Sequence, residues 1–156
     1  MGITIKGLKG LRTKLNNLGG DSLAAIEKAV KQTVQAADGD AKAMRPYSSI
    51  AIQTETKRTA TGVEGRVFSN TPYAAYVEFG TGPKGQADHS GISPNVGVSY
   101  TQHPWVYPTE DGEFRRTSGQ PAKPFLYPAA KQNEDLFPEN IRHEIVRALR
   151  AIAGRG

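Results

Sequence analysis

Cysteine is absent from the 156-residue sequence, which excludes disulfide bonds and thiolate metal sites. No stretch approaches the roughly 18 apolar residues that a membrane-spanning helix needs. The opening MGITIKGLKG also lacks the apolar core of a secretory signal peptide. We therefore expect a protein that is made in the cytosol and has no membrane span.

The sequence also lacks the residue patterns of common catalytic and metal sites. Its three histidines are scattered, with no H-E-x-x-H or comparable ligand spacing. No serine lies in a nucleophile elbow. The acidic cluster at residues 110–113 is followed by Arg115 and Arg116, which is typical of a solvated charged loop. We expect no metal, no cofactor and no enzymatic activity.

Positive charge is in excess only at the two ends of the chain, which has a net charge of +5. Residues 1–45 hold eight Lys or Arg against four Asp or Glu, and residues 121–156 hold six against four. The middle, residues 46–120, holds six against seven. A basic excess favours a polyanion or an acidic partner surface, and solvated helix faces are the simpler interpretation.

The N-terminal segment predicts a short strand and a helix. Ile3 and Ile5 alternate as in a strand. Leucines at spacings of three, four and three then mark one face of a helix, which the glycine pair at 19–20 ends. These leucines are Leu8, Leu11, Leu15 and Leu18.

A long helix follows, capped by Asp21 or Ser22. It ends near Arg45, because Pro46 disfavours helical geometry in the residue before it. Its apolar face consists of Leu23, Ile26, Val30, Val34, Ala37, Ala41 and Met44.

Residues 50–67 change to an alternating pattern, which predicts two antiparallel strands joined around residues 57–62. The alternating positions are Ile50, Ile52, Thr54 and Thr56, then Val63, Gly65 and Val67. Large apolar residues are few, so one face of this sheet is expected to meet solvent or a partner.

The segment TPYAAYVEF predicts a short helix or turn with an aromatic face, and residues 80–120 then lack a regular pattern. Loops of this length are usually functional or disordered. Within it, VGVSY and PWVYP suggest a small hairpin, and EDGEFRR contains a D-G turn signal. Beyond it, residues 128–137 favour a short helix, and Pro138 suits the first turn of a final helix that Gly154 ends.

The glycines at 80, 82 and 85 spell G-x-G-x-x-G, a pattern associated with dinucleotide binding. That function needs a buried strand before the glycines and a helix after them. The preceding segment favours a helix, and the following QADHSGISPN is not expected to open one. We interpret the glycines as a turn in which positive φ is required.

Nucleic-acid binding is a further function to weigh for the same region. Aromatic residues near basic ones suit base stacking, but the aromatic-rich middle of the chain is slightly acidic. No base-reading motif is present. The form of nucleic-acid contact that remains is a loose one, in which a ring of protein copies touches the backbone of DNA that passes through it.

Two segments resemble the neck or tail-component family of long-tailed bacteriophages, also called head–tail joining or tail-completion proteins. The first pattern, YA-x-x-V-E-F-G-T, is met by YAAYVEFGT at residues 73–81. The second, P-x-P-F-L-x-P-A, is met within QPAKPFLYPAA, with Pro121 one residue early. The resemblance extends over roughly residues 3–133. Two departures are the missing Thr-Gly after Pro46 and the long stretch 83–120.

The resemblance implies a structural virion protein at the head–tail interface, assembled in the host bacterial cytoplasm. Such proteins form homo-oligomeric rings, with a hexamer expected on the tail side, between neck, tail-terminator and tail-tube proteins. The ring joins the head connector to the tail around the DNA path. A DNA-binding accessory protein that acts through its basic helices is the alternative, and a small nucleotide enzyme around Gly80–Gly85 is a third interpretation.

We expect one α+β domain over residues 1–156. N-terminal helices and a C-terminal helix pack on a small antiparallel sheet, with a long irregular loop or hairpin arm at about 80–120. Gly80 and Gly82 are candidate hinges, and the second motif supplies core residues Pro124, Phe125, Leu126 and Pro128. The candidate subunit-interface residues are Tyr73, Tyr76, Glu78, Phe79, Thr81, Tyr100, Trp105, Tyr107, Arg115 and Arg116.

Overall fold

The computed structural model describes residues 1–6, 20–60 and 62–154. The strands are β1 (Gly2–Lys6), β2 (Gln53–Thr59), β3 (Gly62–Phe68), β4 (Trp105–Pro108) and β5 (Phe114–Thr117). The helices are α1 (Gly20–Met44), α2 (Ala74–Phe79), α3 (Gly82–Ala87), α4 (Leu126–Glu134) and α5 (Phe137–Ala153). The α+β class predicted from the sequence is confirmed. The predicted leucine-faced helix at 8–18 lies outside the described residues.

The long helix α1 supplies one wall of the core. Its buried residues recur every three or four positions, as the apolar pattern predicts. They are Ala25, Ile26, Ala29, Val30, Thr33, Val34, Ala37 and Ala41. Met44, which the pattern places on the same face, is 40% exposed, so the core contact of α1 ends at Ala41.

Strands β1, β3 and β2 form an antiparallel sheet in that order, with β3 in the centre. Burial alternates along β3, and Val63 and Val67 face α1. On the opposite face Arg66 pairs with Glu55 at 3.5 Å and lies over the ring of Phe68. Among the described residues, this second face of the sheet is largely polar and partly exposed, as expected. Ile50, predicted to open the first strand, is buried ahead of β2.

The sheet contacts α1 through Gly65, the central residue of β3. An added Cβ at this position would lie 2.8 Å from Cγ1 of Val30 and would overlap Cγ2 of Val34. Only a residue without a side chain lets the helix approach the strand this closely. The alternating pattern placed Gly65 on the inward face, but it did not reveal that α1 covers it.

We expect Gly65→Ala to lower the free energy of unfolding by about 1–3 kcal/mol, because the methyl group overfills a packed contact. Equilibrium urea denaturation measures the change. Gly39→Ala within α1 is the matched control, since nothing lies within 4 Å of its added Cβ. This control should raise stability by about 0.5–1 kcal/mol through helix propensity. A Gly65 variant as stable as the wild type would contradict the close helix–strand contact.

Helices α4 and α5 also pack against α1, and α4 contacts β1 and β3 as well. Glu144 of α5 is buried and receives hydrogen bonds from Lys28 at 3.1 Å and Gln32 at 3.1 Å. Burial favours the neutral acid, but these contacts and the charges of Lys28 and Arg147 outweigh it, so the pKa of Glu144 is lowered. From α4, the amide of Asn133 donates to Asp40 at 2.7 Å.

Residues 80–120 are more regular than the sequence predicts. They contain α3 and the two-stranded sheet of β4 and β5. The predicted hairpin is present, but its strands differ: PWVYP pairs with FRRT across the D-G turn. VGVSY, the other predicted strand, has no regular structure. The D-G turn joins the two strands, so the segments on its two sides, WVYP and FRRT, are the ones that pair.

Candidate interaction surface

Glu78 connects the two sequence motifs. Its side chain, on α2, is 1% exposed. Its carboxylate accepts hydrogen bonds from the backbone N–H groups of Phe125, Leu126 and Tyr127 at 2.7, 3.0 and 2.8 Å. These donors open α4 and have no partner within the helix. The carboxylate therefore caps α4 and complements the positive end of the helix dipole.

Further contacts hold the second motif against the first. The N–H of Lys123 donates to the carbonyl of Val77 at 2.8 Å, and the Gln120 amide donates to the carbonyl of Tyr76 at 3.0 Å. Phe125 and Leu126 are fully buried. Pro124 and Pro128 are half-buried beside them. The motifs lie 47 to 49 residues apart in the chain and form one structural unit.

The glycines after α2 lie where two chain segments cross. Thr81 and Gln120 exchange backbone hydrogen bonds of 2.9 and 3.1 Å, which we call the Thr81–Gln120 junction. Gly80 and Gly82 flank it with φ of +73° and +59°. An added Cβ at Gly80 would lie 2.7 Å from the backbone N of Ala122, and one at Gly82 would lie 2.6 Å from Trp105. Both candidate hinge residues are thus closely packed within this conformation.

The glycines of the G-x-G-x-x-G pattern pack closely against other backbone atoms of the same chain. The helix α3 begins inside the pattern at Gly82 and ends at Ala87, and no helix opens within QADHSGISPN, as expected. Before the pattern the chain forms α2, not the strand that a dinucleotide site needs. An added Cβ at Gly85 would lie 2.8 Å from the carbonyl carbon of Gly80. The close approach that glycine permits is therefore made to protein backbone.

A groove of about 830 Å³ lies beside the junction, and the residues seen to line it in the described part of the chain are all uncharged. Residues from both sides of the Thr81–Gln120 junction contribute to its wall. Its aromatic residues are Tyr47, Tyr73, Tyr76, Phe79, Tyr100, Trp105 and Tyr107. Tyr76 is 60% exposed at the groove, so its ring is available to a partner.

The β4–β5 hairpin has two chemically different faces. Trp105, Tyr107 and Thr117 line the groove and lie on the same face, because side chains alternate along each strand. On the opposite face, which we call the outer face, Val106 is opposite Arg116 and Pro108 is opposite Phe114. The residues Val106 and Phe114 are 58% and 75% exposed. The outer face is thus an apolar surface with one cation.

Tyr100 fixes the irregular segment that forms another wall of the groove. Its hydroxyl donates to the carbonyl of Phe79 at 2.8 Å, and its ring lies 5.7 Å from the ring of His89. Burial raises the pKa of the Tyr100 phenol, so the hydroxyl remains a donor at neutral pH. Much of the 80–120 segment is therefore anchored to α2 within a single chain.

The structure sorts the candidate interface residues into three groups. Those that line the groove are Tyr73, Tyr76, Phe79, Thr81, Tyr100, Trp105 and Tyr107. Arg115 and Arg116 lie on opposite faces of the hairpin and are exposed. Glu78 requires a correction: it lies in the interior, because its carboxylate is used to cap α4, and it offers no surface to a partner.

Sequence reasoning missed two features of this surface. Tyr47 lines the groove although it lies far from the other aromatic residues in sequence. Phe114 is the most exposed large apolar residue described. Its position three residues after Asp111 within a D-G hairpin was the available signal, since an aromatic residue in a charged turn has no core to enter.

Two negative observations apply to the residues that the structure describes. No group of three or more His, Asp or Glu side chains there is arranged to hold a metal ion. None of the helices seen is both long and apolar enough to cross a bilayer.

Comparison with known protein families gives one match. Residues 9–80 match the family described as "Bacteriophage HK97-gp10, putative tail-component". The matched segment is just under half of the chain and ends within the first motif, at Gly80. Comparisons with curated proteins and with solved structures found no significant match. The match confirms the resemblance to phage tail components that the sequence motifs indicate, and it is consistent with a structural rather than a catalytic protein.

Proposed function

We propose that this chain, whose residues 9–80 match a family of phage tail components, is a structural protein of the head–tail neck in a tailed phage. Copies of it form a ring, with six the number that the resemblance implies, between the head connector and the tail. The neighbours are neck, tail-terminator and tail-tube proteins. The family match is the observation that carries this proposal.

The architecture supports such a role. Glu78 and the Thr81–Gln120 junction tie the middle of the chain to the core through hydrogen bonds of 2.7–3.1 Å. An uncharged aromatic groove and an exposed apolar hairpin face lie on this rigid support. Aromatic residues and arginine are enriched at protein interfaces, and apolar surface left bare on a single chain marks a site of association.

Loss of the gene in the phage that encodes this protein tests the proposal. We expect DNA-filled heads and separate tails to accumulate, because the component that joins them is missing. Electron microscopy of the lysate shows the particles, and supplying the wild-type protein from a plasmid should restore joined virions. Mass spectrometry should also find the protein in purified virions. Normal joined particles without the protein would refute the proposal.

The alternative is a DNA-binding accessory protein that acts through its basic helices. The alternative would act through α5, where Arg142, Arg147 and Arg150 are exposed, because on α1 Lys28 and Lys42 are paired with Glu144 and Asp38 at 3.1 and 2.7 Å. Arg58 of β2 is likewise paired with Glu27. If the alternative holds, the purified protein binds duplex DNA with an affinity that falls steeply as salt rises, since phosphate contacts release counterions. Binding that is absent at low salt would rule it out.

A further inference from the structure

The outer face of the β4–β5 hairpin is an apolar surface that no other residue described by the structure covers. Phe114 and Val106 are 75% and 58% exposed, and Arg116 lies directly across from Val106. Phenylalanine and arginine are both enriched at protein interfaces, and arginine is frequent among the residues that dominate binding energy. Isolated exposed apolar residues are common, but two on one face of a short hairpin form a patch.

The groove offers the complementary chemistry. Its rings include Tyr73 and Tyr76, which are 39% and 60% exposed. Aromatic rings accept another aromatic ring edge-to-face and accept a guanidinium over the ring. Among the described residues the lining itself is uncharged. The cations near it lie at other rings: Lys123 is 5.7 Å from the centroid of the Tyr47 ring, and Arg115 shares the inner face of the hairpin with Tyr107.

We propose that the outer face of the hairpin in one copy of this chain docks into the aromatic groove of a second copy. The proposal rests on the ring of the proposed function and specifies its contact. The inner face of the same hairpin, with Trp105 and Tyr107, forms a wall of the groove. Since the outer face points away from that wall, a chain cannot fill its own groove with it, and the contact joins different copies.

This geometry has a consequence for assembly. The outer face and the groove are different patches. A copy that has docked through one of them therefore still offers the other to a further copy. Such a head-to-tail contact adds copies in one rotational direction and closes into a ring when the rotation allows. A symmetric contact, in which the same patch meets itself, would stop at a dimer. The contact therefore explains how a single chain builds a ring.

Cysteine cross-linking tests the pairing, because the chain has no cysteine of its own. Tyr76→Cys marks the groove and Phe114→Cys marks the outer face. With a short bis-maleimide, the double variant should give a ladder of covalent oligomers on a denaturing gel. Each single variant should stay at the monomer position. Equal cross-linking of either single variant would indicate a symmetric contact and overturn the proposal.

A mixing experiment uses the two patches separately. Phe114→Asp should block the outer face and leave the groove intact, whereas Tyr76→Asp should block the groove and leave the outer face intact. Each should weaken self-association by about 30-fold or more, as loss of a central interface residue does. Mixed together, the two variants should form a heterodimer that grows no further, because only one intact pair of surfaces remains. Sedimentation velocity measures both results.

The control is Val96→Asp, which introduces the same charge at a 42% exposed residue that does not line the groove. It should assemble as the wild type does, and thermal unfolding checks that all variants fold. If the wild type is a monomer in solution, the cross-linking is carried out on virions that contain the variants.

The outcomes separate this pairing from the proposed function. Rings that persist without a cross-link between positions 76 and 114 overturn the pairing and leave the proposed function standing. A link from the Tyr76→Cys variant to a different virion protein overturns the pairing too. A protein that is absent from virions defeats the proposed function itself.

Discussion

Replacement of Glu78 by alanine should lower the free energy of unfolding by about 3–5 kcal/mol. The change removes the acceptor for three backbone N–H groups at the start of α4, two of them fully buried. A hydrogen bond to a charged group contributes about 1.5–3 kcal/mol, and a buried donor without an acceptor costs about 1–3 kcal/mol. Water that enters the vacated space offsets part of this loss. Urea denaturation followed by circular dichroism measures the effect.

Two variants define the mechanism of this loss. Glu78→Gln keeps the size of the side chain but has one oxygen in place of two, so its loss should lie between wild type and Glu78→Ala. Glu134→Ala removes a carboxylate that is 61% exposed in a surface ion pair, and it should cost under about 1 kcal/mol. If Glu78→Ala were no more harmful than Glu134→Ala, the carboxylate would not be holding the two motifs together.

Replacement of Gly80 by alanine should be comparably damaging, with a loss of about 3–5 kcal/mol. Gly80 has φ of +73° and ψ of +176°, a region of backbone conformation that is almost confined to glycine and costs other residues about 1–3 kcal/mol. The added methyl would also lie 2.7 Å from the N of Ala122 and 2.9 Å from the O of Gln120, and overfilling costs about 1–3 kcal/mol more. Backbone atoms on both sides leave little room for adjustment.

Gly112→Ala separates these two causes. Gly112 has a similar φ of +78°, but nothing lies within 4 Å of its added Cβ. It should therefore lose only the conformational part, about 1 kcal/mol or slightly more. A matching loss in both variants would show that packing at the Thr81–Gln120 junction contributes nothing. Gly80→Ala with unchanged stability would instead support the hinge prediction, because a hinge residue adopts several conformations.

The regular elements of the core were predictable because their periodicity is local. Apolar residues at helical spacing, ended by a proline, predicted the end of α1 to within a residue of Met44. The predicted caps Asp21 and Ser22 lie inside the helix, which already includes Gly20. Alternation over 63–67 predicted β3, and Ile3 and Ile5 predicted β1. The final helix was likewise predicted to start close to Pro138. In each case a residue's neighbours within four positions decided the structure.

Prediction was poorer where distant residues decide the structure. Glu78 looked like an interface residue, since an acid between aromatic residues on a short helix resembles surface. Its three hydrogen-bond donors lie 47 to 49 residues away and cannot be found by inspecting its neighbours. The groove shows the same limit, because Tyr47 meets Tyr76 and Trp105 only when three separate segments are folded together.

The sequence alone determined the α+β class, the helical and strand periods of the core, and the resemblance to phage tail components. Those properties depend on short-range spacing and on motifs that can be recognised in the sequence without knowledge of the fold. The tertiary structure alone decided the capping role of Glu78, the packing of the glycines at the Thr81–Gln120 junction and the two faces of the hairpin. The physical reason is that buried hydrogen bonds and close backbone contacts depend on which distant atoms meet, and a one-dimensional pattern carries no distances between them.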